Sequence, residues 1–335
     1  MQKTIFVVDD SLSNLSLAEE ALENHFRVIT LSSAEKMYKT LEKLVPDLIL
    51  LDIAMPDESG FDAMKKLKSI KDYADIPVIF LTALTDTFNE ALGIELGAID
   101  FITKPFSEAV LLNRVKNHIQ IDELVQKRTE QLNSMKDSIV LTMSSLVESR
   151  DVCTGGHIER TTRFLKILMD AMVEQGVYVD EIKGWDMDSF VSSARLHDVG
   201  KIYVADTILN KPKALTNPEF DSVKTHSSEG EKIIDQMIKQ TGDMEFLHSA
   251  KLVAAYHHER WDGSGYPYGL AGMDIPLPGR LMAIIDVYDA LVSERPYKRP
   301  VPHEEAVKTI VEESGKHFDP KIVDVFERIN ERFTL

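Results

Sequence analysis

The sequence predicts a multidomain chain: a doubly wound parallel α/β domain over residues 1–120, a helical connector over 121–140 and an all-α domain over 141–335. Three observations predict it. Short apolar runs, several closing on a carboxylate, alternate with amphipathic stretches through the first part of the chain. From Ser107 to Glu148 neither proline nor glycine interrupts a helix-favouring segment. Beyond it strand-like runs nearly vanish and helical periodicity takes over.

TIFVVDD at 4–10 and DLILLD at 47–52 are apolar runs ending in carboxylates, and VIFLTA at 78–83 and AIDFIT at 98–103 follow. Runs that are apolar on both faces read as buried parallel strands. The stretches Leu12–Asn24 and Ser33–Leu44 between them carry helical periodicity. Sites in such sheets form at the carboxyl ends of the strands, where Asp9, Asp10, Asp52, Thr82 and Lys104 fall. Three clustered carboxylates repel one another unless a divalent cation joins them, and a hard ion such as Mg²⁺ suits an all-oxygen site. This pattern resembles the receiver domain of response regulators. The resemblance implies a five-stranded sheet, Asp52 as phosphoacceptor, and Mg²⁺ held by Asp9, Asp10, Asp52 and the carbonyl of Ala54. It further implies Thr82 and Lys104 on the phosphoryl oxygens, Phe101 as an aromatic switch, a cis bond at Lys104-Pro105 and a sensor histidine kinase as partner.

In the connector, Ile121, Val125, Arg128, Leu132, Met135, Ile139 and Leu146 fall close to a 4-3 spacing, with Arg128 and Thr142 as weak positions. That is a coiled-coil seam of about three heptads, which predicts a homodimer through this helix; the other reading is a single amphipathic helix packed on its own domains.

In the last part, Phe164–Val173, Phe190–His197, Ser228–Ile238, Phe246–His257, Arg280–Val292 and Glu304–Glu313 read as helices. Facing helices of this kind build metal centres in their cores. RLHDVGK at 195–201 sets His197 beside Asp198; on a helix these diverge by roughly 100° while Lys201 returns to the face of His197. His157, His226, His257, His258 and Asp286 complete seven nitrogen and oxygen donors, enough for two ions. The glycines and proline of WDGSGYPYG at 261–269 bend the chain sharply after His258.

HDVGK at 197–201, HHERWDGSGYP at 257–267, IIDVYDALVSERPYK at 284–298 and TGGHIERT at 154–161 stand in the order of the HD-GYP phosphodiesterases, which this region resembles. The resemblance implies His157, His197, Asp198, His226, His257, His258 and Asp286 as ligands of two transition-metal ions, with Asp198 bridging. Iron or manganese is expected from the family, with nickel or zinc as alternatives. Lys201, Tyr266, Arg295 and Lys298 would contact the substrate, and Asp198 with Lys201 would be catalytic. The substrate implied is cyclic di-GMP, cleaved to pGpG and/or GMP, and the loop with Gly265, Tyr266 and Pro267 would lie near the metals and could dock diguanylate cyclase domains. Family members with three metals carry a glutamate four residues before the first histidine; Cys153 stands there, which predicts a binuclear centre. Two rival readings are a catalytically silent module that binds a cyclic dinucleotide or a cyclase, and a hydrolase of another nucleotide such as pGpG.

Composition narrows the classes. The 335 residues are 44% hydrophobic and 28% charged, as in ordinary soluble proteins. A net charge of −17 opposes nucleic-acid binding, so DNA is not an expected partner and an anionic substrate must be held by local cations and metals. No apolar run approaches the roughly 18 residues of a membrane span. A single cysteine, Cys153, fits a reducing compartment, and the protein is expected in the cytoplasm.

Overall fold

The computed structural model describes residues 2–83, 92–150, 156–242, 244–294 and 299–333. The chain divides into two compact units, Met1–Gln131 and Leu132–Leu335.

In the first unit, β1 (Thr4–Val8), β2 (Arg27–Leu31), β3 (Leu48–Asp52), β4 (Val78–Thr82) and β5 (Asp100–Thr103) form one parallel sheet in the order β2-β1-β3-β4-β5. All neighbours are parallel, with Ile5 opposite Leu48 and Asp52 opposite Leu81. Strand side chains alternate between faces, so the sheet needs an apolar layer on each side. Phe6, Val8, Ile49, Leu51 and Phe80 pack under Met37 and Leu41 of α2 (Ala34–Leu41) and Met64 and Leu67 of α3 (Gly60–Ser69). Ile5, Val7, Leu48, Leu50 and Leu81 pack under Leu15 and Leu22 of α1 (Leu12–Leu22) and under Leu111 and Val115. Ser33 and Ser59 cap α2 and α3 by accepting hydrogen bonds from the Lys36 and Asp62 amides. Strand order reverses between β1 and β3, and their carboxyl ends carry Asp9 and Asp52.

β2 is not among the runs read as strands. It is an edge strand in which only Leu31 is fully buried, so RVITL lacks the uniform apolarity that marks the inner strands.

Helix α4 runs Glu108–Glu148 without a break. Leu111, Val115 and Ile119 are buried in the first unit's core, and Val140 joins a second-unit cluster with Leu196, Val199 and Ile234. Ile121, Val125, Leu132, Met135, Ile139 and Leu146 are exposed.

The second unit is helical: α5 (His157–Glu174), α6 (Met187–Ser193), α7 (Asn217–Thr241), α8 (Glu245–Tyr256), α9 (Leu277–Val292), α10 (His303–Glu312) and α11 (Pro320–Ile329). Its core gathers Phe164, Leu168, Leu281, Ile285, Tyr288 and Phe326. Thr216 and Glu219 close a capping box on α7. Helix α11, with Asp319 as N-cap and Pro320 at its first position, is a further element that the periodicity reading omits.

RLHDVGK is not a helix. After α6 the chain makes two 3₁₀ turns, Ala194–Leu196 and Val199–Tyr203, with Asp198 between them at φ −98° and ψ 7°. That bridge-region residue breaks the helical march, so Lys201 meets Asp198, at 2.7 Å, rather than sharing a face with His197.

Candidate metal centre

α9, deeply buried, brings Asp286 and Asp289 from the core to the centre, and His157 stands at the first position of α5. His226 lies within α7, while His257 and His258 follow the end of α8. The turn that carries His197 can reach them only because residue 200 is glycine. A Cβ there would overlap the backbone of His226 and stand 2.5 Å from the Gly230 nitrogen.

The donors form two triads, each with its ligand atoms within 4.8 Å of one another: His157, His197 and Asp198, and His226, His257 and His258. Asp198 spans both: its Oδ2 is 3.3 Å from His197 Nε2, and its Oδ1 is 3.5 Å from His226 Nε2 and 3.9 Å from His257 Nε2. Asp286 Oδ1 lies 3.7 Å from His157 Nε2.

The imidazole tautomers follow from what holds them. His197 Nδ1 is 3.0 Å from the Ala194 carbonyl, His226 Nδ1 2.6 Å from that of Val223, and His257 Nδ1 3.0 Å from that of Val253. Carbonyls only accept, so these nitrogens donate and, in the neutral ring, each Nε2 presents a lone pair. His157 Nδ1 lies 2.7 Å from Asp289 Oδ2, which orients it the same way. Yet His157 Nε2 stands 3.2 Å from His197 Nε2, and His226 Nε2 3.3 Å from His257 Nε2. Neutral rings so held would face lone pair to lone pair, an arrangement that a cation between them turns from repulsive to binding. The donor set therefore fits transition-metal ions, with outer acceptors fixing the rings of His157, His197, His226 and His257.

Burial works against ionising Asp198, but Lys201 and His197 hold its carboxyl well below the usual range. His197 is also fully enclosed, and Asp198 and Asp286 nonetheless raise it above an ordinary imidazole. Burial dominates elsewhere: it lowers His226, and with repulsion from His197 and His226 it takes His257 to about 3. His258 is held well below its ordinary value by burial and by His257.

A cavity of about 220 Å³ opens over the triads, its wall including His157, Asp198, Lys201, His258, Tyr266 and Asp286. The Tyr266 ring lies 4.8 Å from that of His258. Its loop is anchored by the buried Glu259, whose carboxylate accepts from the amides of Tyr268, Gly269 and Leu270 at 2.7–3.1 Å. Gly265 lets that loop fold against its own start, since a Cβ would stand 2.6 Å from Glu259 Cα.

Of the residues expected from sequence, His157, His197, Asp198, Lys201, His226, His257, His258, Tyr266 and Asp286 come together here. Arg295, Lys298 and Cys153 lie outside the described residues. The sequence reading missed Asp289 and Arg160. Asp289 is fully buried and accepts from Arg160 Nε at 2.6 Å, from Arg160 Nη2 at 3.1 Å and from Ser293 Oγ at 3.2 Å. Its signal was a second carboxylate three residues after Asp286 on one helix.

In the first unit Asp9, Asp10 and Asp52 form a third donor cluster, made of carboxylates alone, with Asp9 and Asp52 buried and Asp10 exposed. Lys104 Nζ lies 2.6 Å from Asp9 Oδ2 and 2.7 Å from Asp52 Oδ1, next to a cis Lys104-Pro105 bond. The Ala54 amide donates to Asp52 Oδ1 at 3.3 Å, and Thr82 is buried at the end of β4. Phe101, partly buried, packs with its ring 5.6 Å from that of Phe80.

A parallel sheet with an acidic pocket at its switch point, joined to a helical domain with a mixed His/Asp centre, defines a receiver-regulated member of the HD class. The response regulator receiver domain family matches residues 5–116, and the HD domain family matches residues 123–322. A protein of Vibrio cholerae named "Probable cyclic di-GMP phosphodiesterase" is 39% identical across 97% of this chain and 77% of its own length. The "Cyclic di-GMP phosphodiesterase" of Thermotoga maritima is 31% identical across 98% of this chain and 91% of its own. The "Cyclic di-GMP phosphodiesterase response regulator RpfG" of Xanthomonas campestris pv. campestris is 31% identical across 97% and 87% respectively. This chain belongs to that family of response regulators, with an N-terminal receiver domain and a C-terminal HD-GYP domain. A receiver implies a phosphodonor such as a histidine kinase. Among the described residues no helix is long and apolar enough to cross a membrane.

Proposed function

We propose that this protein is a response regulator whose HD-GYP domain hydrolyses cyclic di-GMP to pGpG and/or GMP under the control of phosphorylation at Asp52. The observation that carries this reading is Asp198, whose two oxygens are turned toward two separate donor triads. That arrangement supports a binuclear phosphodiester hydrolase, and the family's named phosphodiesterases point to the substrate.

His157, His197, Asp198 and Asp286 would hold one ion, and His226, His257, His258 and Asp198 the other. Iron or manganese suits this mixed nitrogen and oxygen set. Two such ions supply Lewis acidity and a water acidified for attack on phosphorus. The chain's own groups do the rest. Asp198, kept ionised by Lys201 and His197, fixes the spacing of the triads. Lys201 Nζ, on the cavity wall beside Asp198, offers a cation to a non-bridging phosphate oxygen or to the departing one. Tyr266 walls the cavity beside His258, and Arg295 and Lys298 would contact other parts of the substrate.

In the receiver, Asp52 accepts the phosphoryl group, Asp9 and Asp10 bind Mg²⁺ with the Ala54 carbonyl, and Thr82 and Lys104 contact the phosphoryl oxygens. Residues 121–140 form the connector, and two copies pair through its exposed apolar stripe.

The test is anaerobic incubation of the iron- or manganese-loaded protein with cyclic di-GMP, with products resolved by chromatography beside Asp198→Ala. Formation of pGpG or GMP by the wild type alone is expected. A fully metal-loaded wild type that leaves cyclic di-GMP intact overturns the reading.

A further inference from the structure

The wall of the cavity holds a cation that neither the metal centre nor its supporting network uses. Arg195 lines the cavity together with His197, Asp198 and Lys201. Its backbone is fixed, because Ser144 Oγ of α4 donates to its carbonyl at 2.8 Å. Its Nε is sealed from solvent and has no hydrogen-bond partner. Among the described residues the Arg195 side chain also has no carboxylate within ion-pair distance.

The other arginines nearby differ. Arg150 pairs with Asp206 at 2.7 Å, Arg160 with Asp289 at 2.6 Å, Arg260 with Glu313 at 2.9 Å and Arg280 with Asp319 at 2.8 Å. Glu148 shares the cavity wall with Arg195 but turns its Oε1 to the His157 amide at 3.0 Å. A guanidinium cannot shed its proton, and an enclosed N–H without an acceptor is costly. Once a rotation of its side chain opens it to the cavity, such a group is stabilised by a ligand that brings the acceptor with it.

We propose that Arg195 is a substrate-binding residue that takes the second phosphodiester of the cyclic dinucleotide, the one that is not cleaved. This rests on the hydrolase reading above. Charge and geometry both point to a phosphate. The chain carries −17 overall, so its general field repels a dianionic ligand and local cations must offset it. Lys201 is engaged with Asp198 at 2.7 Å. A guanidinium matches two phosphate oxygens with parallel N–H donors, which an ammonium cannot do. Among the described residues Lys201 is paired with Asp198 between the triads while Arg195 is not, and the two cations are accordingly assigned different phosphates.

The test compares wild type, Arg195→Met and Arg195→Lys, all full-length and manganese-loaded. Metal content is measured first. Equilibrium dialysis then gives affinities for GMP, with one phosphate, and for a slowly hydrolysed phosphorothioate analogue of cyclic di-GMP, with two. The expected result is unchanged metal content and affinity for the analogue weakened about tenfold to hundredfold in Arg195→Met, the range for a lost hydrogen bond to a charged group. Arg195→Lys recovers part of it, and GMP affinity shifts less than about threefold, because its single phosphate goes to Lys201. An analogue affinity within about twofold of wild type overturns the assignment, as does an equal loss for both ligands or a loss of metal, either of which marks a structural role. Wild type that binds no cyclic dinucleotide overturns the substrate reading itself, and the assignment with it.

Discussion

Replacing Asp289 by asparagine tests whether the histidines are held as metal ligands or merely packed. Among the described residues Asp289 accepts four hydrogen bonds: from His157 Nδ1 at 2.7 Å, Arg160 Nε at 2.6 Å, Arg160 Nη2 at 3.1 Å and Ser293 Oγ at 3.2 Å. Asparagine keeps the shape but offers one oxygen, so its amide N–H₂ must face donors. If the oxygen stays on His157, Arg160 loses its carboxylate partner inside the protein; if it turns to Arg160, His157 loses the acceptor that fixes its tautomer. Breaking a buried charged pair costs about 3 kcal/mol, and losing the outer partner of a ligating histidine costs about tenfold to hundredfold in metal affinity. We therefore expect Asp289→Asn to fold with reduced stability in urea and to bind one of two manganese ions at least tenfold more weakly, read by competition with a chromophoric chelator. Two-site binding as tight as wild type in a correctly folded variant would refute the claim that Asp289 orients a metal-binding ring.

Three further outcomes follow from the geometry. Gly200→Ala puts a methyl group onto the backbone of His226 and Gly230, which cannot move aside as a side chain could; a loss of about 3 kcal/mol and of bound metal is expected, and a variant with wild-type urea midpoint and metal content would contradict the close approach. For the metal-free protein, burial lowers His226, His257 and His258 below the unfolded imidazole, which takes up its proton near pH 6.5, so stability falls as pH drops below about 6.5. His197, raised by Asp198 and Asp286 despite burial, opposes them only above about pH 6.5, since below that it is protonated whether folded or unfolded; urea unfolding at about pH 6.5 and 5 reads the loss, and a flat or rising stability toward acid would be the wrong sign. In the receiver, Asp52→Asn is expected to abolish phosphoryl transfer from acetyl phosphate with Mg²⁺, seen by intact mass, while a labelled variant would move the acceptor elsewhere.

How much of this was legible in the sequence depends on what each residue's signal was. The inner strands were, because burial on both faces leaves an uninterrupted apolar run such as LILLD; β2, with Arg27 exposed and only Leu31 fully buried, has no such run. The donors that the cavity brings together were legible through their motifs, since histidine and aspartate in ordered spacing carry chemical meaning before any fold is known. The path of the chain through them was not. HDVGK has helix-compatible residues, and only the docking of Gly200 against α7 makes it a pair of 3₁₀ turns. Asp286 and Asp289 differ by one turn of α9, and no sequence rule says which faces the cavity and which holds a histidine from behind. Arg195 was silent for the same reason: an arginine has one appearance in sequence whether it ends in water or in a sealed wall.

The apolar positions of α4 that face water have a consequence for how the protein responds to its own abundance. Ile121, Val125, Leu132 and Met135 are each more than half exposed, which a lone chain tolerates only at a cost in solvation. When two copies meet along that stripe, the stability of each becomes a function of how many copies are present, since association is linked to folding by mass action. In such a pair, expression level would act on this regulator as a ligand does, with the second copy in the role of effector.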